Sequence, residues 1–411
     1  MADSKCMEAL GCWEGYQVGT VQRLAVTEAR LRPEVMIELL AQRDPPPVCS
    51  GCGKVVPAIH DLTERWVRDL PILGADTWLL VHRIRVACPD CGPKLARLPW
   101  LEPYARVTLR LAESVARMCK VLPIKHVAEY FALNWDTVKA IDKAYLTRTL
   151  GPADLAGVEV IGMDEFAIQR GHRYATLVVE VHSKRVLWIG RGRGREDVRP
   201  FFELLGPEGC SRLKAVVMDM NSAHDLEVKA HCPNAEVVYD LFHVVAKYGR
   251  EVIDRVRVDE ANRLREDKRS RKIIKGARWL LLKNRENLTR QEDQVRLKEL
   301  LDANRALLQT YLLKDDLKEL WEYRSEHHAR RFWKGWYNRA IRSRLEPLKR
   351  FARRLKGYLP GILAHCRWPL HTSLLEGINN KIKVLKRMAY GFRDDQYFFL
   401  KIRAAFPGNT G

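Results

Sequence analysis

The stretch VIGMDEFAI, residues 160–168, places two carboxylates inside an apolar run. The run predicts a buried β-strand, and a lone carboxylate in a protein core is costly unless something positive lies beside it. Because side chains alternate along a strand, Asp164 and Glu165 point to opposite faces. We therefore expect a cation beside Asp164, and we expect Glu165 to pack on the other face or to support the site indirectly.

Five stretches rich in valine and isoleucine begin here and predict five strands: VEVIGMDEFAI, RYATLVVEV, RVLWIG, LKAVVMD and AEVVYD. The helical stretches EDVRPFFELLG and AHDLEVKAHC separate the third strand from the fourth and the fourth from the fifth. This order, βββαβαβ, is a three-strand meander followed by two crossovers. It predicts an α/β fold with a mixed sheet and helices on both faces, in which the first and fourth strands lie side by side.

Two aspartates are expected to meet at one edge of this sheet. Asp164 closes the first predicted strand and Asp219 closes the fourth. Two adjacent carboxylates repel each other unless a cation joins them. A pair of divalent metal ions can bind between the two carboxylates and remove their repulsion. Such an ion pair can also activate an attacking oxygen and stabilise a leaving oxygen. The fifth strand ends at Asp240, and His243 follows; either side chain is a candidate auxiliary ligand or proton carrier.

A third carboxylate is found on a late helix, WPLHTSLLEGINNKIKVLKRMAYGF. Its apolar stripe consists of Leu375, Ile378, Ile382 and Leu385. Glu376 lies on another face, above a strip of side chains suited to DNA phosphates: Asn380, Lys383 and Arg387. The stretch from Ser373 to Glu376 is also a capping box, in which Glu376 would bond to the start of the helix. The spacing alone leaves both interpretations open.

Four of the ten cysteines form two CxxC pairs, Cys49 with Cys52 and Cys88 with Cys91. Each second cysteine is followed by glycine, a pattern typical of a chain that turns around Zn²⁺ held by four thiolates. The 35 residues between the pairs are enough for a β-hairpin. Two redox-active pairs are the alternative, but no thioredoxin-like βαβ pattern surrounds them. The sequence therefore predicts a structural zinc site.

The segment PIKHVAEYFALNWDTVKAIDKAYL, residues 123–146, has the texture of a helix-turn-helix. The tripeptide ALN supplies the turn, and Asn134 is placed to cap the second helix. Lys139 and Lys143 then lie on more exposed faces of a candidate recognition helix and are expected to contact DNA. An ordinary helical hairpin gives the same pattern. The prediction of a DNA-binding helix-turn-helix is supported by the presence of the zinc module and of the basic surface in the same chain. Residues 1–44 also look helical, most clearly in VTEARLRPEVMIELL.

The chain carries a large excess of positive charge, with 71 Lys and Arg against 51 Asp and Glu, a net charge of +20. Residues 244–360, predicted to be helical, hold 32 of these basic residues and 17 acidic ones. An excess of this size favours a polyanionic partner such as nucleic acid. No apolar run approaches the ~18 residues of a transmembrane helix, and the start has no signal-peptide pattern. We therefore expect a cytoplasmic protein without a membrane partner.

The combination of these features resembles one family, the ISL-three family of bacterial insertion-sequence transposases. The shared features are the paired CxxC module, the helix-turn-helix and four motifs: GMDEFA, VVMDMNSAH, VVYDLFHVV and TSLLEGINNKIKVLKRMAYGFRDDQYFFLKIR. The resemblance spans nearly the whole chain. It implies a ribonuclease H-like fold in which Asp164, Asp219 and Glu376 bind metal, with residues 244–360 inserted before the glutamate.

The resemblance implies a DNA transposase that binds the ends of an insertion sequence, cleaves them and joins the freed 3′-hydroxyl to target DNA. Asp164 would bridge two Mg²⁺ or Mn²⁺ ions, and Asp219 and Glu376 would complete one each. The implied domains are a zinc-binding module with N-terminal helices (1–100), a helix-turn-helix (101–150) and a catalytic domain (151–411). A homo-oligomer on DNA and association with the nucleoid are expected. A zinc and helix-turn-helix regulator without catalysis, or a ribonuclease H-like nuclease, are the alternatives.

Overall fold

The computed structural model describes residues 13–28, 31–169, 171, 173–283, 287–370 and 373–408, without the side chain of Ser373. The chain forms two compact units. The first comprises Met1–Gly151 and Lys386–Ala405, and the second comprises Pro152–Leu385 and Phe406–Gly411. The sequence predicted one domain from residue 151 to the C-terminus, whereas the structure groups Lys386–Ala405 with the first unit.

The first unit contains a five-stranded sheet, whose strands are β1 (Tyr16–Leu24), β2 (Glu34–Ala41), β3 (Ile59–Ile72), β4 (Ala75–Cys88) and β5 (Gly92–Leu95). The order is β1-β2-β4-β3, and β5 pairs with β4. Leu73 and Gly74 join β3 to the antiparallel β4, and both have positive φ, 49° and 76°. This left-handed pair suits the right-handed twist of a tight hairpin. The hairpin expected between the two cysteine pairs is confirmed.

The helix predicted within residues 1–44 is wrong where the structure describes this segment. β1 and β2 occupy it, while residues 1–12, 29 and 30 lie outside the described part. Leu, Met and Glu favour helices, but burial along β2 alternates, with Val35, Ile37 and Leu39 inward. Pairing with β1 on one side and β4 on the other overrides the local helical preference.

Three helices of the first unit form the predicted helix-turn-helix and its support: α1 (Leu109–Cys119), α2 (Ile124–Phe131) and α3 (Trp135–Leu150). Ala132 at the turn is left-handed, with a φ of 49°. The Asn134 side chain accepts a hydrogen bond from the Asp136 N–H at 2.8 Å. The cap and the turn therefore lie where the sequence predicted them.

The last helix, Asp395–Ala405, packs within the first unit. Its Lys401 ammonium donates to the fully buried Asp142 carboxylate at 3.0 Å, and the Tyr397 hydroxyl donates to the same oxygen. A buried charge needs such partners. These two bonds join the last helix to Asp142 within the first unit.

The second unit contains the other sheet, whose strands are β6 (Val160–Gln169), β7 (Arg173–Glu180), β8 (Val186–Arg191), β9 (Ala215–Met218) and β10 (Glu236–Tyr239). The order is β10-β9-β6-β7-β8. β6, β7 and β8 are an antiparallel meander, and β9 and β10 are parallel to β6. The predicted strands, their mixed directions and the pairing of the first with the fourth are confirmed.

Helices complete the second unit: α4 (Arg195–Arg212), α5 (Ser222–His231), α6 (Leu241–Tyr248), α7 (Asp254–Arg263), α8 (Lys268–Gly276), α9 (Arg278–Leu282), α10 (Gln291–Ala303), α11 (Arg305–Glu319), α12 (Glu326–Arg342), α13 (Glu346–Leu363) and α14 (Ser373–Met388), which ends in the first unit. The Asp395–Ala405 helix is α15. The helices from α7 to α13 bury Trp333 and Trp336 in a core shared with the sheet. Within the described residues, no helix is long and apolar enough to cross a membrane.

Candidate active site and metal centres

Asp164 and Asp219 occupy neighbouring positions on paired parallel strands. The last paired residues of β6 and β9 are Met163 and Met218, and each aspartate is the next residue. Asp219 ends its strand as predicted. Asp164 does not, because β6 continues to Gln169 against its antiparallel partner β7. Asp164 therefore lies in the middle of β6. It is the first residue of β6 that has no partner in β9.

The charges on the two aspartates are held in different ways. Burial raises the pKa of Asp164 above its ordinary value, and the negative charge of Asp219 adds to this rise. Burial also acts to raise the pKa of Asp219, but a hydrogen bond and ion pair with His243 outweigh it and lower the pKa. The distance from His243 Nδ1 to Asp219 Oδ2 is 3.3 Å. His243 also acts to lower the pKa of Asp164, but burial outweighs it there.

Helix α14 is packed directly onto β6 beside Asp164. Gly162 leaves room for Leu375, whose Cδ2 atom would lie 3.1 Å from a Cβ at that position. The Asn379 side-chain amide donates to Asp164 Oδ2 at 2.6 Å, and the Glu165 N–H donates to Oδ1 at 2.7 Å. Glu376 is exposed and precedes Asn379 by three residues, a neighbouring position on a helix. The helix therefore presents Glu376 one turn from the contact with Asp164.

The three carboxylates do not converge on a single point. Among the described residues, the cysteines are the one set of three or more Cys, His, Asp or Glu side chains whose ligand atoms all lie within 4.8 Å of each other. Asp164, Asp219 and Glu376 nevertheless fit divalent ions in chemistry, because they offer hard oxygen ligands and two of them repel each other. The uncharged amide of Asn379 donates one hydrogen bond to the Asp164 carboxylate and leaves its charge uncompensated by that contact.

Glu165 belongs to the surroundings of the site. Its carboxylate accepts a hydrogen bond from the Asn221 side chain and faces Arg193 at 3.7 Å. Arg193 also lies over the Tyr174 ring, 4.3 Å from its centroid. Burial raises the pKa of Glu165, and the charges of Asp164 and Asp219 add to the rise. The predicted supporting role fits these contacts, and Arg193, from the segment between β8 and α4, reaches the Glu165 carboxylate.

The two auxiliary candidates differ in what they contact. His243, in the first turn of α6, pairs with Asp219 as described. Burial lowers the pKa of His243, but Asp219, Asp164 and Asp240 raise it more, so it rises overall. Asp240 is 6% exposed, and its Oδ2 has no hydrogen-bond partner in the part of the chain that the structure describes.

Sequence reasoning missed Asn379. It singled out Asn380, which is exposed and accepts from Lys383 at 3.2 Å, on the strip that continues to Arg387. The signal for Asn379 was its spacing of three from Glu376. The capping-box interpretation of Glu376 depends on the side chain of Ser373, which lies outside the described residues.

The lysines predicted to contact DNA from α3 are engaged within the first unit. Lys143 and Lys139 lie 2.9 and 3.4 Å from the Asp394 carboxylate, which precedes α15. Burial alone would raise the pKa of Asp394, but the bonds with these lysines lower it to about 2. The sequence indicated that Lys139 and Lys143 lie on an exposed helix face. It could not show that the Asp394 carboxylate, more than 250 residues later, pairs with their charges.

The four cysteines of the CxxC pairs come together as predicted. Cys49 and Cys88 are buried, Cys52 is exposed and Cys91 is intermediate. The sulfurs of Cys52 and Cys88 are 3.6 Å apart. Backbone N–H groups, first that of Cys52, lower the pKa of Cys49 to about 7. Four sulfurs at these separations fit one tetrahedral Zn²⁺ and leave no open ligand position.

Comparison with known protein families gives three matches along the chain. A family described as "Transposase" matches residues 161–402. A "Helix-turn-helix domain of transposase family ISL3" matches residues 96–146, and a zinc-finger of the transposases of IS204, IS1001, IS1096 and IS1165 matches residues 45–91.

Two curated proteins are similar over most of their length. The transposase for insertion sequence element IS1001 of Bordetella parapertussis is 52% identical over 415 residues, covering 100% of both chains. The transposase for insertion sequence element IS1557 of Mycobacterium tuberculosis is 30% identical over 373 residues, covering 85% of this chain and 83% of its own.

Proposed function

The chain belongs to the ISL3 family of insertion-sequence transposases, and on that premise we propose how its residues divide the work. Residues 152–385 are the catalytic part, and Asp164, Asp219 and Glu376 are its metal ligands. The observation that carries the proposal is the parallel pairing of β6 with β9, with α14 packed on β6 through Leu375. Asp164 and Asp219 follow paired residues at the end of β9, and the approach of Leu375 to Gly162 brings the turn of α14 that bears Glu376 to β6.

The sheet is of ribonuclease H-like type in this proposal. Its support is the strand order β10-β9-β6-β7-β8 together with an antiparallel meander and two parallel strands. The helices from α7 to α13 are then an insertion between the sheet and the glutamate helix.

Each side chain near the site has a distinct task. Asp164 and Asp219 supply the oxygens at the sheet, and Glu376 supplies the third carboxylate from α14. His243 holds the Asp219 carboxylate in one orientation through its Nδ1 contact. Asn379 holds Asp164 and couples it to the turn of α14 that carries Glu376.

Mg²⁺ or Mn²⁺ would be held by the three carboxylates. When bound, the ions activate the attacking oxygen and stabilise the leaving oxygen of the phosphodiester. The reaction is hydrolysis that frees a 3′-hydroxyl, followed by attack of that hydroxyl on target DNA. The exposed Lys383 and Arg387 lie further along α14, and they would contact phosphates of the DNA strand.

The first unit is proposed to recognise the element ends. Its support is the match to a family of helix-turn-helix domains and the four-cysteine site that fits zinc. A homo-oligomer would be needed to hold two ends at once, and the protein would act in the cytoplasm, at the nucleoid.

Mapping the ions by local cleavage of the chain tests the ligand assignment. Fe²⁺ replaces Mg²⁺, and ascorbate with peroxide then generates radicals that cut the polypeptide near the bound ion. We expect cuts close to residues 164, 219 and 376 in the wild type and fewer in Asp164→Asn. Cuts that avoid the region of residue 376, or that persist unchanged in Asp164→Asn, would contradict the assignment.

A further inference from the structure

A groove of about 510 Å³ opens within the first unit, beside the start of the recognition helix α3. Its walls come from the start of α2, the first two turns of α3 and the segment between α14 and α15. The residues that matter for its chemistry are Lys125, Trp135, Lys139, Tyr390, Arg393 and Asp394. A volume of this size is in the range of small-ligand sites. The catalytic assignment above makes no use of it.

Two aromatic side chains of the groove are exposed to an unusual degree. Trp135 is 47% exposed and Tyr390 is 92% exposed. Tyr390 has a left-handed φ of 53°, and Gly391 after it has a φ of 102°. This pair forms a left-handed cap at the end of α14, in which the Gly391 N–H donates to the Lys386 carbonyl at 2.9 Å, so the turn that presents the Tyr390 ring is held by hydrogen bonds. Trp135 is the first residue of α3, the end of a recognition helix that reaches base edges.

The charge of the groove favours a polyanion. Asp394 is the one carboxylate among its lining residues, and Lys139 and Lys143 neutralise it at 3.4 and 2.9 Å. Arg393 is exposed, and Lys125 is exposed with Glu129 3.8 Å away. Exposed rings bordered by cations are what single-stranded nucleic acid uses, since bases stack on the rings while phosphates contact the cations.

We propose that this groove takes one unpaired base of the DNA held by the helix-turn-helix. The base stacks on Trp135 and Tyr390, and its flanking phosphates contact Lys125 and Arg393. The inference rests on the proposed recognition of element ends by the first unit, and it adds the class of ligand: a nucleotide out of the base stack rather than a duplex alone.

Competition binding with the full chain tests the proposal. The probes are a fluorescent element-end duplex that is fully paired and a series of the same duplex, each with one unpaired nucleotide at a different position. We expect at least one position at which the unpaired duplex binds more tightly by roughly 5- to 150-fold, the range for stacking of one base. Tyr390→Ala should remove this preference and leave paired binding nearly unchanged. Trp135→Ala should also remove the preference, measured as the ratio of unpaired to paired affinity, while Trp135→Phe and Tyr390→Phe keep it.

Circular dichroism shows that each variant is folded, and Tyr390→Ala alters a side chain that is almost fully exposed. The proposal would be overturned if the wild type bound the paired duplex and every duplex with an unpaired nucleotide equally tightly. That result is expected if the groove instead binds a protein segment. An equal loss of paired and unpaired binding in both alanine variants would also overturn it. If the wild type bound no end DNA at all, the proposed recognition of element ends would itself be wrong. If it bound end DNA but showed no preference for an unpaired nucleotide, only the proposal about the groove would be wrong.

Discussion

Substitution of Gly162 by alanine should slow strand cleavage and leave binding of element-end DNA intact. The added Cβ would lie 3.1 Å from Leu375 Cδ2 and 3.3 Å from Cδ1. The optimal separation of two carbon atoms is about 3.5–4.0 Å, and Leu375 is only 3% exposed, so its side chain is enclosed by protein rather than free to swing into solvent. Leu375 must give way by a few tenths of an ångström, and we expect α14 to shift away from β6 with Glu376, the residue after Leu375.

The size of the effect follows from the required movement. Restoring ordinary contact needs a displacement of roughly 0.5 Å, and a misplacement of about 1 Å at a catalytic centre costs on the order of 100-fold in rate. We expect Gly162→Ala to cleave roughly 10-fold more slowly, with a stability loss of about 1–3 kcal/mol from overpacking. Single-turnover cleavage of labelled end DNA measures the rate, and gel-shift titration measures binding.

Two further variants make the result specific. Gly335→Ala adds the same methyl group to a helical glycine of the same unit that has nothing within 4 Å of the new atom, so cleavage should be unchanged. Leu375→Val shortens the facing side chain, and combined with Gly162→Ala it should recover part of the lost rate. Wild-type cleavage by Gly162→Ala, or no recovery in the double variant, would refute the packing argument.

Three other outcomes are expected. Cys88→Ser should release zinc and weaken end binding, because three thiolates hold the ion less well; metal analysis that finds zinc retained, or none in the wild type, contradicts the zinc site. Affinity for DNA should fall roughly 10³- to 10⁵-fold between 50 and 200 mM salt if six to ten phosphates are contacted; a flat salt response would mean that the basic residues 244–360 do not touch DNA. Burial lowers the pKa of His224 from 6.5 to about 4, with Asp219 opposing weakly. The unfolded chain therefore binds this proton more tightly, and unfolding free energy should fall by up to roughly 3 kcal/mol between pH 6.5 and pH 4. Urea titrations at the two pH values should show a smaller fall in the unfolding free energy for His224→Gln than for the wild type. An equal fall in both would show that His224 is not the cause.

The sequence predicted the second sheet well because its strands are short, apolar and separated by clear helices. The pairing of β6 with β9 followed from topology alone, so the meeting of Asp164 with Asp219 was predictable. The length of β6 was not, because its antiparallel partner β7 sets where it ends.

The errors arose where distant residues decide the outcome. Glu34–Ala41 contains good helix formers, but its neighbours in space are two other strands. Lys139 and Lys143 looked free because Asp394 is remote in sequence. Asn379 was missed because its role depends on which face of α14 packs on β6. That face is fixed by the fit of Leu375 against Gly162, a contact between residues more than 200 positions apart in the sequence.

The most direct test of the three-carboxylate site is incubation with end-labelled element DNA and Mg²⁺, followed by mapping of the 3′ ends. Wild-type protein should produce strands with a 3′-hydroxyl at the element end. Asp164→Asn, Asp219→Asn and Glu376→Gln should each bind the same DNA nearly as well and produce no cut, because each removes one negative ligand. Full cleavage by Glu376→Gln, which keeps a side chain able to cap the helix, would remove Glu376 from the site and make Asp240 the next candidate.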